Sequence, residues 1–328
     1  MSKTIRLFFF ALGFGAIIMM IFSFDLTWVD LLSYLKQSEL FFLWAIFLWS
    51  GIYLLNTISW QVILNELGGF KASIFRLYKF TLSGFALNYV TPGGLNGGEP
   101  YRILELKQYV GTNKAVSSTI LYSIAHIGSH ILFWMVGALL LGVCYPVYLL
   151  PACSVIFLGA LFIFLFLLIM NKGVATLLTS LIARIPFVGK NVGRFMQKNS
   201  ESIATIDGQV RQIYQEHTLV FIKTIFIELL ARFVGCFEVM LIPALCNVSF
   251  VEAYLVIAIS SLMGNLLFFM PMQLGGREGG FVLAFSMLGI PTDLGLFVAL
   301  LFRIRELILI VLGVSLIQIG NKSSSRNK

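Results

Sequence analysis

Two short stretches limit what this chain can fold into more than anything else in it. The first is Thr91-Pro92-Gly93-Gly94-Leu95-Asn96-Gly97-Gly98-Glu99-Pro100, set into an apolar run. Glycine pairs and prolines do not belong inside a packed helix: glycine loses the most backbone entropy there, and proline removes a donor and clashes with the preceding turn. A carboxylate beside them in apolar surroundings is expensive unless it has a task. The second stretch is Pro271-Met272-Gln273-Leu274-Gly275-Gly276-Arg277-Glu278-Gly279-Gly280. Shifted by 271 − 92 = 179 positions, Pro92 meets Pro271, Leu95 meets Leu274, Gly97 meets Gly276 and Glu99 meets Glu278 without a gap. The chain therefore reads as two halves built around two breaks, with motifs at 91–102 and 270–281.

What surrounds the breaks is membrane. Hydrophobic residues make up 59% of the 328 and charged residues only 12%, against about 25% charged in soluble domains. The formal net charge of +8 reads as basic residues that set orientation in a bilayer, so no nucleic-acid partner is expected. Cys144, Cys153, Cys236 and Cys246 have no zinc-ligand or CxxC spacing and are expected to be small buried hydrophobes. The first apolar run follows Lys3 and Arg6 but leads into Phe24-Asp25-Leu26-Thr27-Trp28. No small-residue cleavage site follows it, so it is expected to stay as a membrane helix.

A spanning helix needs about 20 mostly apolar residues. Full spans are expected at 7–24, 40–60, 115–143, 153–170, 219–245 and 296–319, with a turn at 146–151. The apolar piece 80–90 is about half a span, and the charged stretch after the break cannot continue across lipid. The natural reading is a half-helix that enters, stops and returns, because broken backbone at membrane depth survives only when buried in protein or lining a cavity. Residues 253–270 run into the second break, and 281–288 are again too short to cross. Residues 171–217 are expected to form a cytoplasmic amphipathic segment. The fold class is thus an all-α polytopic membrane protein in one domain over 1–328, with about six full spans and two broken or re-entrant hairpins.

With the N-terminus inside, the outer links 25–39, 144–152, 246–252 and 289–294 hold a single basic residue, Lys36. The reverse orientation would put nearly every basic residue outside, against the usual bias. The first break is then entered and left from the cytoplasm and the second from outside. That is an inverted repeat, which in many transporters places the substrate site at the repeat interface near the midplane.

Pro92-Gly93-Gly94-Leu95 with Gly97-Gly98-Glu99-Pro100-Tyr101-Arg102, and the later Leu274-Gly275-Gly276-Arg277-Glu278-Gly279-Gly280-Phe281, resemble the lysylphosphatidylglycerol synthase transmembrane-region family, also called flippase-like integral membrane proteins. The likeness runs over roughly 7–319. It implies a bacterial inner-membrane protein that moves or handles a lipid. In bifunctional members this region flips an aminoacylated phospholipid made by a fused soluble domain. The sequence ends at Lys328 with no such domain after the likeness, so aminoacyl transfer is not expected here, and a separate lipid-modifying enzyme is a compatible partner. Met272-Gln273 stands where the first motif has Gly93-Gly94.

The candidate substrate-binding residues follow from the breaks. Glu99 and Glu278 each follow a glycine-rich turn, with Gly93, Gly94, Gly97 and Gly98 at the first and Gly275 and Gly276 at the second. Free backbone N–H groups in such turns can hold an anion, while the carboxylate can bind an ammonium. Arg102 and Arg277 add positive charge, and a zwitterionic or aminoacylated lipid headgroup needs both signs. The competing reading is that each glutamate caps the helix it begins. Thr119, Ser123, His126 and His130 share one helical face, which can pack polar groups or line a lipid or proton path. No third ligand accompanies the two histidines, so no metal is expected. Glu228 and Arg232 can pair at i, i+4, and Arg303 with Glu306 at i, i+3. Arg305 is then expected to be unpaired, a phosphate ligand, and Glu238 has no local partner. No nucleophile triad, HExxH, P-loop or dinucleotide fingerprint is present, so neither an enzyme nor a cofactor is expected. The partner is a membrane lipid, a second copy of the chain is compatible, and a non-transporting lipid-binding accessory protein is the alternative. Cysteines placed at Ser2 and Ser325, with the native cysteines replaced, are expected to resist an impermeant thiol reagent on intact cells; labelling of either would overturn the cytoplasmic placement of both termini.

Overall fold

The computed structural model of the chain describes residues 39–70, 73–90, 97–184, 192, 196–242, 247–267, 273 and 275–319. The expected first span at 7–24, the 25–38 link, Gly93, Gly94, Pro271-Met272, Cys246 and the tail at 320–328 lie outside them. Among the described residues the chain is all-α. Its helices are α1 Glu39–Glu66, α2 Ile74–Val90, α3 Gly98–Val110, α4 Thr112–Cys144, α5 Leu149–Lys172, α6 Val174–Ala183, α7 Ser200–Gln215, α8 Thr218–Met240, α9 Phe250–Leu266, α10 Gly276–Met287 and α11 Thr292–Ile319.

Two compact units share these helices: 1–55, 75–102 and 230–328 form one, and 56–74 with 103–229 the other. Helices α1, α3 and α8 pass from one unit to the other part-way along. Among the described residues, three stretches have the length and apolar composition to cross a bilayer: 40–66, 112–144 and 146–171. Helices α8 and α11 match them in length, at 23 and 28 residues, but carry several charges.

In the first unit both breaks prove to be tight antiparallel hairpins. A Cβ at Gly98, the first residue of α3, would sit 2.0 Å from the Gly84 carbonyl oxygen in α2. One turn on, Arg102 donates to the Thr81 carbonyl at 3.3 Å, one turn further back along α2. Only a glycine lets the two backbones meet this closely. The second break repeats the device with different residues. A Cβ at Gly276 would meet Leu267 and Met263 in α9, and one at Gly280 would fall 2.7 Å from the Ser260 Cα. Helix α2 is longer than the expected half-span, because Arg76 and Lys79 of the supposed link join it and extend it to 17 residues. It packs on α11, where the Ser83 hydroxyl donates to the Gly313 carbonyl at 2.8 Å.

In the second unit α4 and α5 form a long antiparallel pair joined by the short 3-10 turn Pro146–Tyr148. Pro151, expected within that turn, instead lies in the first turn of α5, where its missing N–H has no helical partner to lose. Only 6% of the apolar window of α5 is buried, and Phe157, Leu158, Phe162 and Phe164 all face outward. In water such a face would be prohibitive; in lipid it is the natural solvent-facing surface. Cys153 on this helix and Cys144 at the end of α4 are likewise exposed, and among the described cysteines only Cys236 is buried. The expectation of uniformly buried cysteines fails because lipid takes over the part that a protein core plays in a soluble domain.

The 171–217 segment carries α6 and α7. Helix α7 is amphipathic and buries Ile203, Ile206, Val210 and Ile213 along one face. The same face presents Asp207, which accepts from the Ala175 N–H at 2.7 Å and the Thr176 N–H at 3.1 Å. Those amides open α6 and would otherwise have no partner. A cap of this kind contributes about 1–2 kcal/mol. Asp207→Ala should therefore lower the melting temperature in detergent and speed hydrogen exchange at the Ala175 and Thr176 amides, with Asp207→Asn intermediate; unchanged exchange at both would show that α6 does not depend on this cap.

Candidate functional site

The first unit gathers four arginines and four glutamates: Glu99 and Arg102 from α3, Glu238 from α8, Arg277 and Glu278 from α10, and Arg303, Arg305 and Glu306 from α11. Eight charges in an apolar helical unit are tolerable only if they pair, because an isolated buried ion is very costly. They do pair. Arg305 donates from Nε to Glu238 Oε1 at 2.7 Å and from Nη2 to Oε2 at 3.0 Å, with side chains 1% and 0% exposed. This two-pronged geometry suits guanidinium and carboxylate. Arg303 reaches Glu278 through Nε at 2.9 Å and Glu306 through Nη1 at 3.0 Å, and Arg277 pairs with the other oxygen of Glu306. Arg102 lies 3.4 Å from Glu99.

The outcome for the expected residues is mixed. Arg303 and Glu306 pair as the i, i+3 spacing suggests. Arg305 is not the unpaired charge the sequence implied. Its partner Glu238, which has none nearby in sequence, is 67 residues away. Glu278 takes Arg303 rather than its neighbour Arg277, whose side chain turns to Glu306. Glu278 caps α10, as the competing reading expects: one oxygen accepts the Gly275 N–H at 2.8 Å, while the other takes Arg303. Glu99 is held by Arg102 and by Asn88 Nδ2 at 3.1 Å. Asn88 Oδ1 in turn accepts the Gly98 N–H at 2.7 Å, so the cap of α3 comes from α2. Gly97, Gly98, Gly275 and Gly276 begin the two returning helices. Gly93 and Gly94 lie outside the described residues.

Three aromatic rings join the charges of the two hairpins. The Arg305 guanidinium lies 4.2 Å from the Trp49 ring centroid and Arg102 lies 4.6 Å from that of Phe85. Between them Trp49 and Tyr53 are 5.7 Å apart, and Tyr53 and Phe85 5.2 Å. Trp49 also donates its Nε1–H to Glu238 at 2.8 Å. Cation–π contacts of this kind add ~0.5–2 kcal/mol each when desolvated. Arg277, Glu278, Phe281, Phe302, Arg303 and Glu306 close on a cleft that has no room for a water molecule. Sequence reading missed Asn88, Trp49 and Tyr53. A polar Asn five residues before the first glycine pair was the only available hint, and nothing marked the aromatics as partners of the charges.

In the second unit Glu228 is fully buried and lies 2.6 Å from His126 Nδ1 and 2.9 Å from Asn56 Nδ2. On the expected face of α4, His126 and His130 fall in a row of rings with Tyr122 and Trp134, centroids 6.0, 5.2 and 5.3 Å apart, the two imidazoles edge to face. His126 is 102 residues from Glu228 in the sequence.

Compared with known proteins, the chain matches one family model, described as Lysylphosphatidylglycerol synthase TM region, over residues 7–313. Neither curated proteins nor solved structures gave a match.

Removing one partner of a buried pair strands a charge and costs about 3–5 kcal/mol, whereas replacing both by apolar residues is often neutral. Glu238→Leu and Arg305→Met should therefore each destabilise the detergent-solubilised protein by that order, and the double variant should recover most of the loss. Additive losses in thermal unfolding would mean that the two side chains are not coupled.

Proposed function

The chain belongs to the lysylphosphatidylglycerol synthase TM-region family of membrane proteins linked to lipid handling, and from that membership we propose that it is a flippase-like transporter that moves a phospholipid, or an aminoacylated or lipid-linked headgroup, between leaflets. The observation that carries the proposal is the charge cluster of the first unit, drawn from both hairpins and joined by Trp49, Tyr53 and Phe85. Stability alone does not call for it, since a packed apolar interior would serve as well. Its charges balance internally, four against four. A headgroup carrying both signs can exchange with such pairs, its phosphate taking arginines and its ammonium a glutamate, while the total charge in the unit stays constant. The buried polar atoms with no hydrogen-bond partner among the described residues include Glu99 Oε2, an acceptor, and Arg277 Nε, a donor. These two offer one position for each sign. The cleft beside Arg277 has no room even for water, against the roughly 300 Å³ of the smallest usual ligand sites, so entry requires the pairs to part.

We read the two hairpins as the matched halves of an inverted repeat, and the protein as a bacterial cytoplasmic-membrane transporter with both termini inside rather than an enzyme. The capping contact between Glu278 and Gly275 favours a second reading, a non-transporting lipid-binding protein in which the carboxylates only fix the hairpins. Reconstitution separates them. The protein should accelerate transbilayer movement of a labelled phospholipid, and Glu99→Gln and Glu278→Gln should each slow it by about tenfold, ~1.4 kcal/mol on the barrier. The double variant should be little slower than the worse single, because groups acting as a unit are not additive. If the carboxylates are only caps, both variants should melt earlier while moving lipid at the original rate per folded molecule.

A further inference from the structure

The function proposed above leaves open what drives lipid movement, and the sequence has no P-loop to take energy from a nucleotide. The second unit holds a group of residues that the lipid site does not use. Glu228 sits fully buried in α8 with one oxygen, Oε2, contacted by both Asn56 Nδ2 and His126 Nδ1. An amide nitrogen can only donate. With Asn56 donating, an ionised carboxylate that also accepts from His126 Nδ1–H satisfies both contacts, and we assign this arrangement. The second ring nitrogen, Nε2, is then the basic position. Taking a proton from water there turns a pair of net charge −1 into an imidazolium–carboxylate ion pair of net charge zero. Returning that proton to water restores the first state, so the cycle balances with one proton and no other reactant.

We infer that His126 and Glu228 form the binding site for a coupling proton. Histidine is the side chain whose ordinary titration falls between pH 5 and 8. His126 is 24% exposed while Glu228 is fully buried, so the ring can exchange with the surroundings while its partner cannot. The ring has a continuation as well: Tyr122 lies on one side of it and His130 on the other, followed by Trp134. The groups to be considered around the pair are these, with Asn56 from α1, Arg232 one turn further along α8, and Lys223 before it. An intramembrane carboxylate with a titratable partner at 2.6 Å is the kind of element proton-coupled carriers use. Because the pair binds α4 to both α1 and α8 within this unit, its charge state acts on the packing of all three helices.

The chain has three histidines, His126, His130 and His217, and the third provides an internal control. His217 pairs with Glu66 at 2.8 Å, with side chains 39% and 30% exposed. Full-length protein carrying ¹⁵N-imidazole histidine is titrated by NMR in nanodiscs of phosphatidylglycerol and phosphatidylethanolamine, with His126→Asn assigning the signal. We expect His126 to titrate between about pH 5 and 8, with a midpoint that moves by about one unit or more in Glu228→Gln and stays in place in Glu66→Gln. A His126 signal that does not titrate in that range, or ignores Glu228→Gln, overturns the proton site. The second arm is transport in vesicles of the same lipids: an imposed gradient of one pH unit, worth about 1.4 kcal/mol per proton, should change the initial rate about threefold or more, and this dependence should vanish in Glu228→Gln. Wild-type transport that ignores the gradient overturns the coupling. If wild-type protein moves no lipid under any gradient, the transport reading is what fails, and the NMR titration still decides the proton site.

Discussion

Everything around the two hairpins depends on the cost of holding an ion away from water. An unpaired charge in an apolar interior is penalised more heavily than almost any other placement. The bidentate contact of Arg305 with Glu238 meets that constraint most completely. It fixes the rotation of α11 against α8, and Trp49 of α1 completes it by donating to the same carboxylate and lying under the guanidinium. With that pair in place, Arg303 and Glu306 are aimed at the start of α10, where Glu278 and Arg277 complete the network. Charges that would be disruptive one at a time become the element that orders the unit.

The hairpins solve a second constraint, the close approach of backbones. Gly98 against Gly84 and Gly280 against Ser260 bring helix to helix with no side chain between. That closeness carries Glu99 and Glu278 inward on the first turn of the returning helices, Glu99 held by Asn88 and Arg102, and Glu278 by the Gly275 N–H and Arg303. The aromatic bridge from Trp49 through Tyr53 to Phe85 supplies an apolar, polarisable surface between the two charged groups. That surface can accept cations along its length.

The second unit applies the same physics with a titratable partner in place of arginine. Glu228 is as buried as Glu238, but its close neighbour is an imidazole, whose charge depends on pH. The first unit's arginines are permanently charged, so its pairs can respond only to a ligand of matching charge. The pair in the second unit can respond to protons alone. In the reading proposed above, the first kind of element takes the lipid headgroup and the second the coupling proton.

The sequence by itself determined the class of the fold and the position of its two interruptions. Periodicity, the length of apolar runs and the chemistry of Pro and Gly act over a few residues, so the long helices, the hairpins at 91–102 and 270–281 and the local Arg303–Glu306 pair were legible. It also marked Glu99, Glu278, Arg102 and Arg277 as residues out of place in an apolar chain. Tertiary structure alone decided who pairs with whom. Glu238 and Arg305 are 67 residues apart, Glu228 and His126 are 102, and Asn56 and Glu228 are 172. Reading along a helix offers only i, i+3 and i, i+4 partners, and so it left Arg305 without the partner that packing supplies. The physical reason is that a buried charge must be neutralised by whichever opposite group packing brings within about 3 Å. That distance is set by how helices lie across one another, not by their order in the chain.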